Sequence, residues 1–585
     1  MKLLANRWLG CTALSAVLAA GVLAPARADE QTVKLIKLLI QKGILSPGQA
    51  NDLLKETAPA PRGHAHAAPA APLESEEAAP AANPGQIRVT YVPQFIRKQI
   101  ADQVRAQVMD EAKEEGWAAP NALPDWTQRI TMMGSMRFRY RADIFDKNNS
   151  DQFINFNDIN NGSAFDANNY GVGSATQTNP PFLNTTEDRN RFQVRATLGA
   201  QAVIDDWVTT TVIVGTGQDD GPVTPNQTLG NVNGANGASG DFAKPSIWLD
   251  KGYFTLTPLP QLTVLAGREP NPFLPSDLMF YRLLGFDGVA AQYSQNFGNF
   301  HVFGTAGGFP LFNTAFDFST DSEVKYASRD SYLAALQAGA EWQFAPHLKA
   351  TLGVGIFDYL GVQGAISSPC AVELGGAFNC DTDNTRAAYE QFGNSLYPIR
   401  NIIPYQPSGV TPAPNPPDPQ YYGLASRFNV LNIHPIFDIT TYDPFDIRLE
   451  GEFIKNLAFD RSAIIDHGAP REVPGPVNNL GSDGEFLGGD TGYMAKVTLG
   501  QMEIRKVWDW SAFFSYRYLQ SDATLDAIAD ADFHEGGTNA QGYILGGDLG
   551  VARNTWVELR LMNAQAVSGP HYGTEQIFLD LNSNF

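Results

Sequence analysis

The sequence predicts an all-β fold, a transmembrane antiparallel β-barrel of about 16 strands with a short N-terminal periplasmic α-helical extension. Three observations predict it. Polar and apolar residues alternate along many segments, the connections between those segments are alternately short and long, and the chain begins with an export signal. Together they are typical of a bacterial outer-membrane barrel.

The alternation is clearest in the segment Arg189–Gly217. Apolar residues such as Phe192 and Leu198 alternate with polar residues such as Arg191, so the two kinds point to opposite faces of a strand. Asp205-Asp206 then supplies a tight turn before the next strand. Each run matches the roughly 9–11 residues that a tilted strand needs to cross a bilayer.

Composition limits the other possibilities. The chain has 585 residues, a formal charge of −21 and a pI near 4.8, which argue against nucleic-acid binding. The mean hydropathy of −0.21 resembles that of a soluble protein. A membrane barrel has a similar mean hydropathy, because each lipid-facing residue is offset by a polar neighbour facing the lumen.

Residues 1–28 are predicted to be a signal peptide. Lys2 and Arg7 give a positive start, Leu9–Leu23 is apolar, and Ala26-Arg27-Ala28 is a cleavage site of the A-x-A type. No later run reaches about 18 apolar residues, so no membrane-spanning helix is expected. An exported chain of this kind is either released or built as a barrel.

Residues 29–125 are predicted to form a separate region before the barrel. Residues 29–57 form a short helical hairpin, 58–92 an Ala/Pro-rich linker, and 93–125 an amphipathic periplasmic helix. We expect this last helix to lie against the barrel or a neighbouring subunit, with cell-wall contact as the alternative. His64 and His66 in the linker are not expected to bind a metal, since no further ligands accompany them.

Sixteen strands are predicted in the barrel domain, residues 126–585. They are Arg129–Arg141, Arg191–Ile204, Trp207–Gly217, Ser246–Thr257, Gln261–Arg268, Arg282–Ser294, Phe297–Gly307, Asp330–Phe344, Leu348–Leu360, Arg427–Asp438, Phe445–Lys455, Thr491–Gln501, Asp509–Gln520, Gln541–Val551, Thr555–Asn563 and Glu575–Phe585.

Short and long connections alternate between the predicted strands, as they do in transmembrane barrels. Short turns such as Asp205-Asp206 and Gln295-Asn296 fall on one side. Long loops such as Ala142–Asn190 and Gly361–Ser426 fall on the other, and these two are the candidates for a loop that folds into the lumen. Because the number of strands is even, the first strand begins and the last strand ends on the short-turn side, which we expect to face the periplasm.

The last strand resembles the assembly signal of outer-membrane barrels. Ile577, Leu579, Leu581 and Phe585 share one face, and Phe578 is the exception on the other. We therefore expect the barrel-assembly machinery to be a partner and Phe585 to be part of its signal. Cys370 and Cys380, the two cysteines left after signal-peptide removal, are expected to form a disulfide in an oxidising compartment.

Several segments resemble the putative porin family of Gram-negative outer membranes. They are Gly267–Phe273, Gly285–Tyr293, Lys42–Leu45, Gly116–Trp117 and Leu123–Trp126. The resemblance implies a channel in outer-membrane lipid for passive diffusion of small hydrophilic solutes and ions. It also implies a homotrimer, by analogy with general porins.

Catalytic motifs do not appear in the sequence. There is no nucleophile elbow, zinc-protease pair or phosphate-binding loop, so neither an enzyme nor a cofactor is expected. The alternative to a porin is a secreted soluble β-rich carbohydrate-binding protein or lyase, which would dissolve without detergent.

Charged residues on the polar strand faces are candidates to line a pore. Lipid-facing arginine costs roughly 2–4 kcal/mol at the bilayer midplane, so these side chains should face water. The arginines Arg137, Arg139, Arg141, Arg191 and Arg195 would form one wall, and Glu450 and Glu452 would lie on the opposite wall. The pattern leaves two interpretations open: a field across the pore, or an ordinary lumen with locally paired charges.

Overall fold

The computed structural model describes residues 129–168, 170–171, 178–218, 221–230, 242, 244–314, 326–372, 379–404, 418–442, 444–466 and 475–585. The predicted signal peptide, helical hairpin, linker and periplasmic helix of residues 1–125 lie outside the described residues.

Sixteen long strands form the wall. They are β1 Ile130–Phe145, β2 Arg189–Asp205, β3 Val208–Thr216, β4 Ile247–Leu259, β5 Leu262–Pro270, β6 Gly285–Phe297, β7 Phe300–Phe312, β8 Ser331–Ala345, β9 Leu348–Leu360, β10 Phe428–Ile439, β11 Asp446–Asn456, β12 Thr491–Gly500, β13 Trp510–Leu519, β14 Ala540–Ala552, β15 Thr555–Ala566 and β16 Gly573–Asn584.

Each strand pairs antiparallel with the next one along the chain, and the two ends of the sheet meet. β1 pairs with β16 in a continuous register in which Arg137 lies opposite Asn582 and Arg139 opposite Asp580. The terminal Phe585 extends this seam through two backbone hydrogen bonds with Gly134, at 2.9 and 3.0 Å. The predicted closed antiparallel barrel of sixteen strands is therefore confirmed.

The two faces of the wall differ in polarity, as the alternation predicts. On β1, Met132 and Met136 point outward with exposed fractions of 61% and 52%, whereas Arg139 points inward and is fully buried. On β16, Leu579 points outward and Asp580 inward. A continuous apolar outer band with a polar interior is the arrangement that a wall between lipid and water requires.

The connections divide into two sets. Short turns at 206–207, 260–261, 298–299, 346–347, 440–445, 501–509 and 553–554 lie at one end of the barrel, called the turn end below. Loops at 146–188, 217–246, 271–284, 313–330, 361–427, 457–490, 520–539 and 567–572 lie at the other, called the loop end.

Several predicted strand ends were wrong, and the largest error is in β7, which ends at Phe312 rather than at Gly307. The turn predicted at Gln295-Asn296 lies at 298–299, because Gly298 with a φ of +60° takes the left-handed turn conformation. Arg282 lies in the loop before β6 rather than in that strand. β1 continues past Arg141 to Phe145, since Asp143 pairs inside the barrel with Arg141 and Arg191.

Short elements lie within the loops. Helix α1, Phe156–Asn161, is capped by the Asn155 side chain, and helix α2, Arg461–Ile465, by that of Asp460. Short strands at Leu396–Pro398 and Tyr422–Leu424 pair with each other, as do Cys370–Val372 and Ile402–Pro404. In the described part of the chain, no helix is both long and apolar enough to cross a membrane.

The barrel lumen as candidate functional site

Arginines on β1 form a ladder along the inner wall. Arg139 donates two hydrogen bonds of 2.8 Å to Asp580 on β16, and a third of 2.9 Å to Asp532. Arg141 pairs with Asp143 at 2.7 Å. The Phe578 ring lies under both guanidinium groups, 4.4 and 4.9 Å from their central carbons. Inward-facing Phe578, the exception to the alternation, therefore serves as a cation–π platform.

The loop 271–284 enters the lumen and reaches the opposite wall. Ser276 and the backbone N–H groups of Asp277 and Leu278 donate hydrogen bonds to the Glu452 carboxylate on β11. The Asp277 carboxylate in turn lies 2.9 Å from Lys496 and 3.3 Å from Arg517. Since β11, β12 and β13 are six to eight strands away from β5 around the ring, the loop spans the barrel.

Two of the segments that resemble the porin family, Gly267–Phe273 and Gly285–Tyr293, lie where this inward loop leaves and rejoins the wall. Gly267 pairs with Gly288 across β5 and β6 and has a φ of +132°, and a Cβ there would lie 2.3 Å from a backbone oxygen. The Pro272 carbonyl accepts a 2.6 Å hydrogen bond from Gln292. The Asn271 side chain accepts one of 3.0 Å from the backbone N–H of Phe273. The motif thus turns the chain away from the wall and into the lumen.

The loop 520–539 also folds inward and meets the first loop. Its Asp530 pairs with Arg517 at 2.5 Å, and its Asp532 with Arg560 at 2.8 Å. The backbone N–H of Tyr281 donates a 2.8 Å hydrogen bond to the carbonyl of Ile528, which joins the two loops. The lumen is therefore narrowed by loops 271–284 and 520–539, which were not among the candidates that the sequence offered, Ala142–Asn190 and Gly361–Ser426.

A cavity of about 730 Å³ opens between these loops and the turn end of the barrel. Seven lysine or arginine and seven aspartate or glutamate side chains line it. Most are paired across short distances, for example Lys496 with Asp277 at 2.9 Å and Arg448 with Asp438 at 2.6 Å. A second cavity of about 320 Å³, bordered by Phe286 and Phe309, lies between the inward loops and the loop end.

The residues predicted to line a pore differ in their access to this space. Arg137 and Glu450 border the large cavity. Arg139 and Arg141 point into the barrel but are covered by acidic residues of the loop 520–539. Glu452 is 3% exposed and holds the inward loop. Arg191 pairs with Asp143, and Arg195 lies 3.5 Å from Asp250. This local pairing favours an ordinary lumen with locally paired charges over a field between two walls of opposite charge.

Sequence reasoning missed the charged residues that the two inward loops contribute. Asp277, Arg282, Asp530, Asp532 and Glu535 all contact the barrel wall. Strand alternation carries no information about loop residues, so no pattern placed them in the lumen. The one signal in the sequence was that several arginines on neighbouring inward positions need acidic partners.

Loops at the loop end form a cap rich in buried carboxyl groups. Asp522 accepts hydrogen bonds from Ser395, at 2.9 Å from the backbone nitrogen and 2.6 Å from Oγ, and Glu390 accepts one of 2.6 Å from Asn160. Burial raises the pKa of Asp522 to about 6 and that of Asp526 to about 7. Burial also raises the pKa of Glu390, and the nearby Asp526 adds to the effect.

The structure joins Cys370 to Cys380 by a disulfide in the loop 361–427, with Cα atoms 5.8 Å apart. The bridge lies beside an ion pair of 2.6 Å between Arg400 and Asp383. Among the residues that the structure describes, no three His, Cys, Asp or Glu side chains group together in a way that could hold a metal ion.

The closed barrel with an apolar outer band, a charged interior and inward loops defines a β-barrel membrane channel. The chain belongs to the putative porin family, whose family model matches residues 29–585. The resemblance seen in the sequence is thereby confirmed. The protein is an outer-membrane porin, a channel for small solutes, and the alternative of a released carbohydrate-binding protein or lyase is not supported.

Comparison with solved structures finds outer-membrane proteins of low sequence identity to this chain. The outer-membrane channel DcaP of Acinetobacter baumannii is 11% identical, with a TM-score of 0.33, and the match covers 78% of this chain and 97% of that one. OprB of Pseudomonas putida is 10% identical, with a TM-score of 0.39 and coverage of 83% and 97%. OccK8 (OprE) of Pseudomonas aeruginosa is 12% identical, with a TM-score of 0.33 and coverage of 78% and 98%. Nothing among the curated proteins matches the chain.

Proposed function

We propose that this porin conducts small hydrophilic solutes and ions passively and performs no chemistry on them. The observation that supports it is the 730 Å³ cavity inside the barrel, lined by equal numbers of cationic and acidic side chains. Such a surface keeps water and small polar molecules solvated. Barrels of 16–18 strands are wide enough for an aqueous channel, and here the two inward loops restrict the bore.

Conductance in a planar lipid bilayer tests this proposal. Purified protein should insert in steps of uniform size and carry an ohmic current that persists without any energy source. A heat-denatured sample serves as the control for contaminating pores. Insertion without current would refute the channel, and recovery of the protein in the soluble fraction without detergent would refute membrane insertion.

The loops at the loop end are proposed to face the cell exterior. In support, an even number of strands leaves both barrel ends on the turn end, where the exported chain enters from the periplasm. Residues 1–28 would direct export, and the helices predicted in 29–57 and 93–125 would remain periplasmic. Protease added to intact cells should cleave within 146–188 or 361–427 and spare residues 29–125, and the reverse pattern would overturn the orientation.

A homotrimer is proposed by analogy with general porins. In support, β3 and β5 are the shortest strands of the wall, with nine residues each, and the adjoining outer face of β2 carries the small residues Ala196, Ala200 and Ala202. A low wall with small side chains would let a second barrel approach closely. Native mass spectrometry of the detergent-solubilised protein should give three times the chain mass, and a monomer mass would exclude the trimer.

A further inference from the structure

Two arginines that share the large cavity lack a carboxylate of their own. Arg282 lies in the inward loop, its side chain is 46% exposed, and its nearest carboxylate is Glu558 at 3.9 Å. Glu558 is already engaged by Arg560 at 3.1 Å. Arg282 makes no hydrogen bond with any residue in the described part of the chain, so its donors are free to meet a solute.

Arg137 on β1 is in a similar position. Its Nε donates a 3.0 Å hydrogen bond to Asn582, and its nearest carboxylate is Asp580 at 3.5 Å. Both oxygens of Asp580 are held by Arg139. The Nη1 of Arg137 is buried and has no hydrogen-bond partner among the described residues. A buried guanidinium donor without a partner is costly, and an acceptor brought by a solute would remove that cost.

Exposure to the cavity separates Arg282 from the other basic side chains in this part of the lumen. The side chains of Arg137, Arg139, Arg195, Lys251 and Arg560 are each at most 13% exposed. Arg282 is the most exposed of the six, so an anion in the cavity would meet it first.

We propose that Arg282 and Arg137 form a subsite for the carboxylate of a small organic anion. The planar guanidinium fork matches the two oxygens of a carboxylate. Arg282 is half-open to water, so binding is weak enough for the anion to leave, as conduction requires. The subsite rests on the proposed channel function and adds a solute class to it.

Block of the single-channel KCl current by benzoate tests the subsite. Benzamide is the matched probe, because it has the same ring and nearly the same shape without the charge. At about 0.15 M KCl, charges are screened over roughly 8 Å, so the subsite still acts across the cavity. Millimolar benzoate should lower the current of the wild-type protein in a saturable manner, and benzamide should not.

Variants assign the block to the two arginines. Arg282→Gln and Arg137→Gln should each raise the benzoate concentration for half-block about tenfold, which corresponds to about 1.4 kcal/mol. Arg282→Lys should fall between, since it keeps the charge and loses the fork. Arg505→Gln is the control, because Arg505 borders the same cavity but is 71% exposed and paired with Glu503.

Each outcome decides between the proposals. Equal block by benzoate and benzamide, or unchanged block in both glutamine variants, would overturn the subsite while leaving the channel intact. Equal block by inorganic phosphate would overturn the carboxylate assignment. Absence of KCl current in the wild-type protein would instead refute the channel on which the subsite rests.

Discussion

Removal of the Glu452 carboxylate should loosen the loop 271–284. The Glu452 carboxylate accepts three hydrogen bonds that hold the loop against β11. One comes from the Ser276 hydroxyl, and two come from the backbone N–H groups of Asp277 (3.1 Å) and Leu278 (3.3 Å). In Glu452→Ala both N–H groups would lose their acceptor, and Leu278 is 1% exposed. An unsatisfied buried donor costs about 1–3 kcal/mol, so we expect the docked loop to lose about 3 kcal/mol.

That loss changes the ratio of docked to released loop on the order of a hundredfold. The loop keeps its ion pairs from Asp277 to Lys496 and Arg517. We therefore expect it to fluctuate rather than to leave the lumen. In single-channel recordings the variant should show larger open-channel noise and a higher mean conductance, because the loop obstructs the bore for less of the time.

Glu450→Ala is the matched control. Glu450 lies two residues away on the same inner face but contacts His434 and Lys496 instead of the loop backbone. Both variants should keep the heat-dependent gel mobility of a folded barrel. If Glu452→Ala conducts with wild-type noise, or if Glu450→Ala is equally noisy, the carboxylate does not anchor the loop.

Three further predictions concern assembly and the loop cap. Phe585→Ser should lower the amount of assembled barrel but not the conductance of molecules that assemble. Phe344→Ser is the control, because Phe344 is another outward-facing aromatic residue at the turn end. Normal surface levels of Phe585→Ser would contradict the assembly role. Thiol labelling of the unfolded, unreduced protein should detect no free Cys370 or Cys380, and two equivalents of label would disprove the bridge. The cap at the loop end should be digested faster as pH rises from about 4 to 7. The pKa values of the Asp522 and Asp526 carboxyl groups are about 6 and about 7 in the folded cap and about 4 in the unfolded chain. The stability that these groups give the cap is therefore fully present below about pH 4 and is lost as pH rises through the folded pKa values. Asp526→Asn should make the rate of digestion depend less on pH.

The wall was predictable from sequence because lipid and water impose opposite demands on successive residues. In β9 the predicted bounds Leu348–Leu360 coincide with the structure, and most other strands differ by one to three residues. Errors occurred where the alternation continued into a connection, as at Gln295-Asn296. They also occurred where a polar residue such as Asp143 extended a strand inside the barrel.

The interior was not predictable, because loops that fold inward carry no periodic pattern. Phe280 and Tyr281 are almost fully buried in the lumen, yet in the sequence they read as the approach to a strand. The motif Gly267–Phe273 was recognisable as a family feature, but only the structure shows that it directs the chain inward. Long-range partners such as Arg139 and Asp532, 393 residues apart, have no local signal at all.

Ion selectivity connects the predicted arginine wall with the pairing that the structure shows. Replacing Arg137, Arg139 and Arg191 together by Gln should make the pore more cation-selective, and replacing Glu450 and Glu452 by Gln should shift it the opposite way. Every substitution changes the net charge of the lumen by one, whether or not the residue is paired. The distance to the permeating ion differs, however, and charges act over about 8–10 Å at ordinary salt.

Arg137 and Glu450 border the cavity, whereas Arg139 is fully buried behind Asp532. The single variant Arg137→Gln should therefore move the reversal potential across a salt gradient more than Arg139→Gln does, most visibly at low salt. Equal shifts would mean that ions travel close to Arg139, behind the loop 520–539. If neither variant changes the reversal potential while conductance stays normal, the permeating ions pass away from β1, along the wall formed by β11–β13.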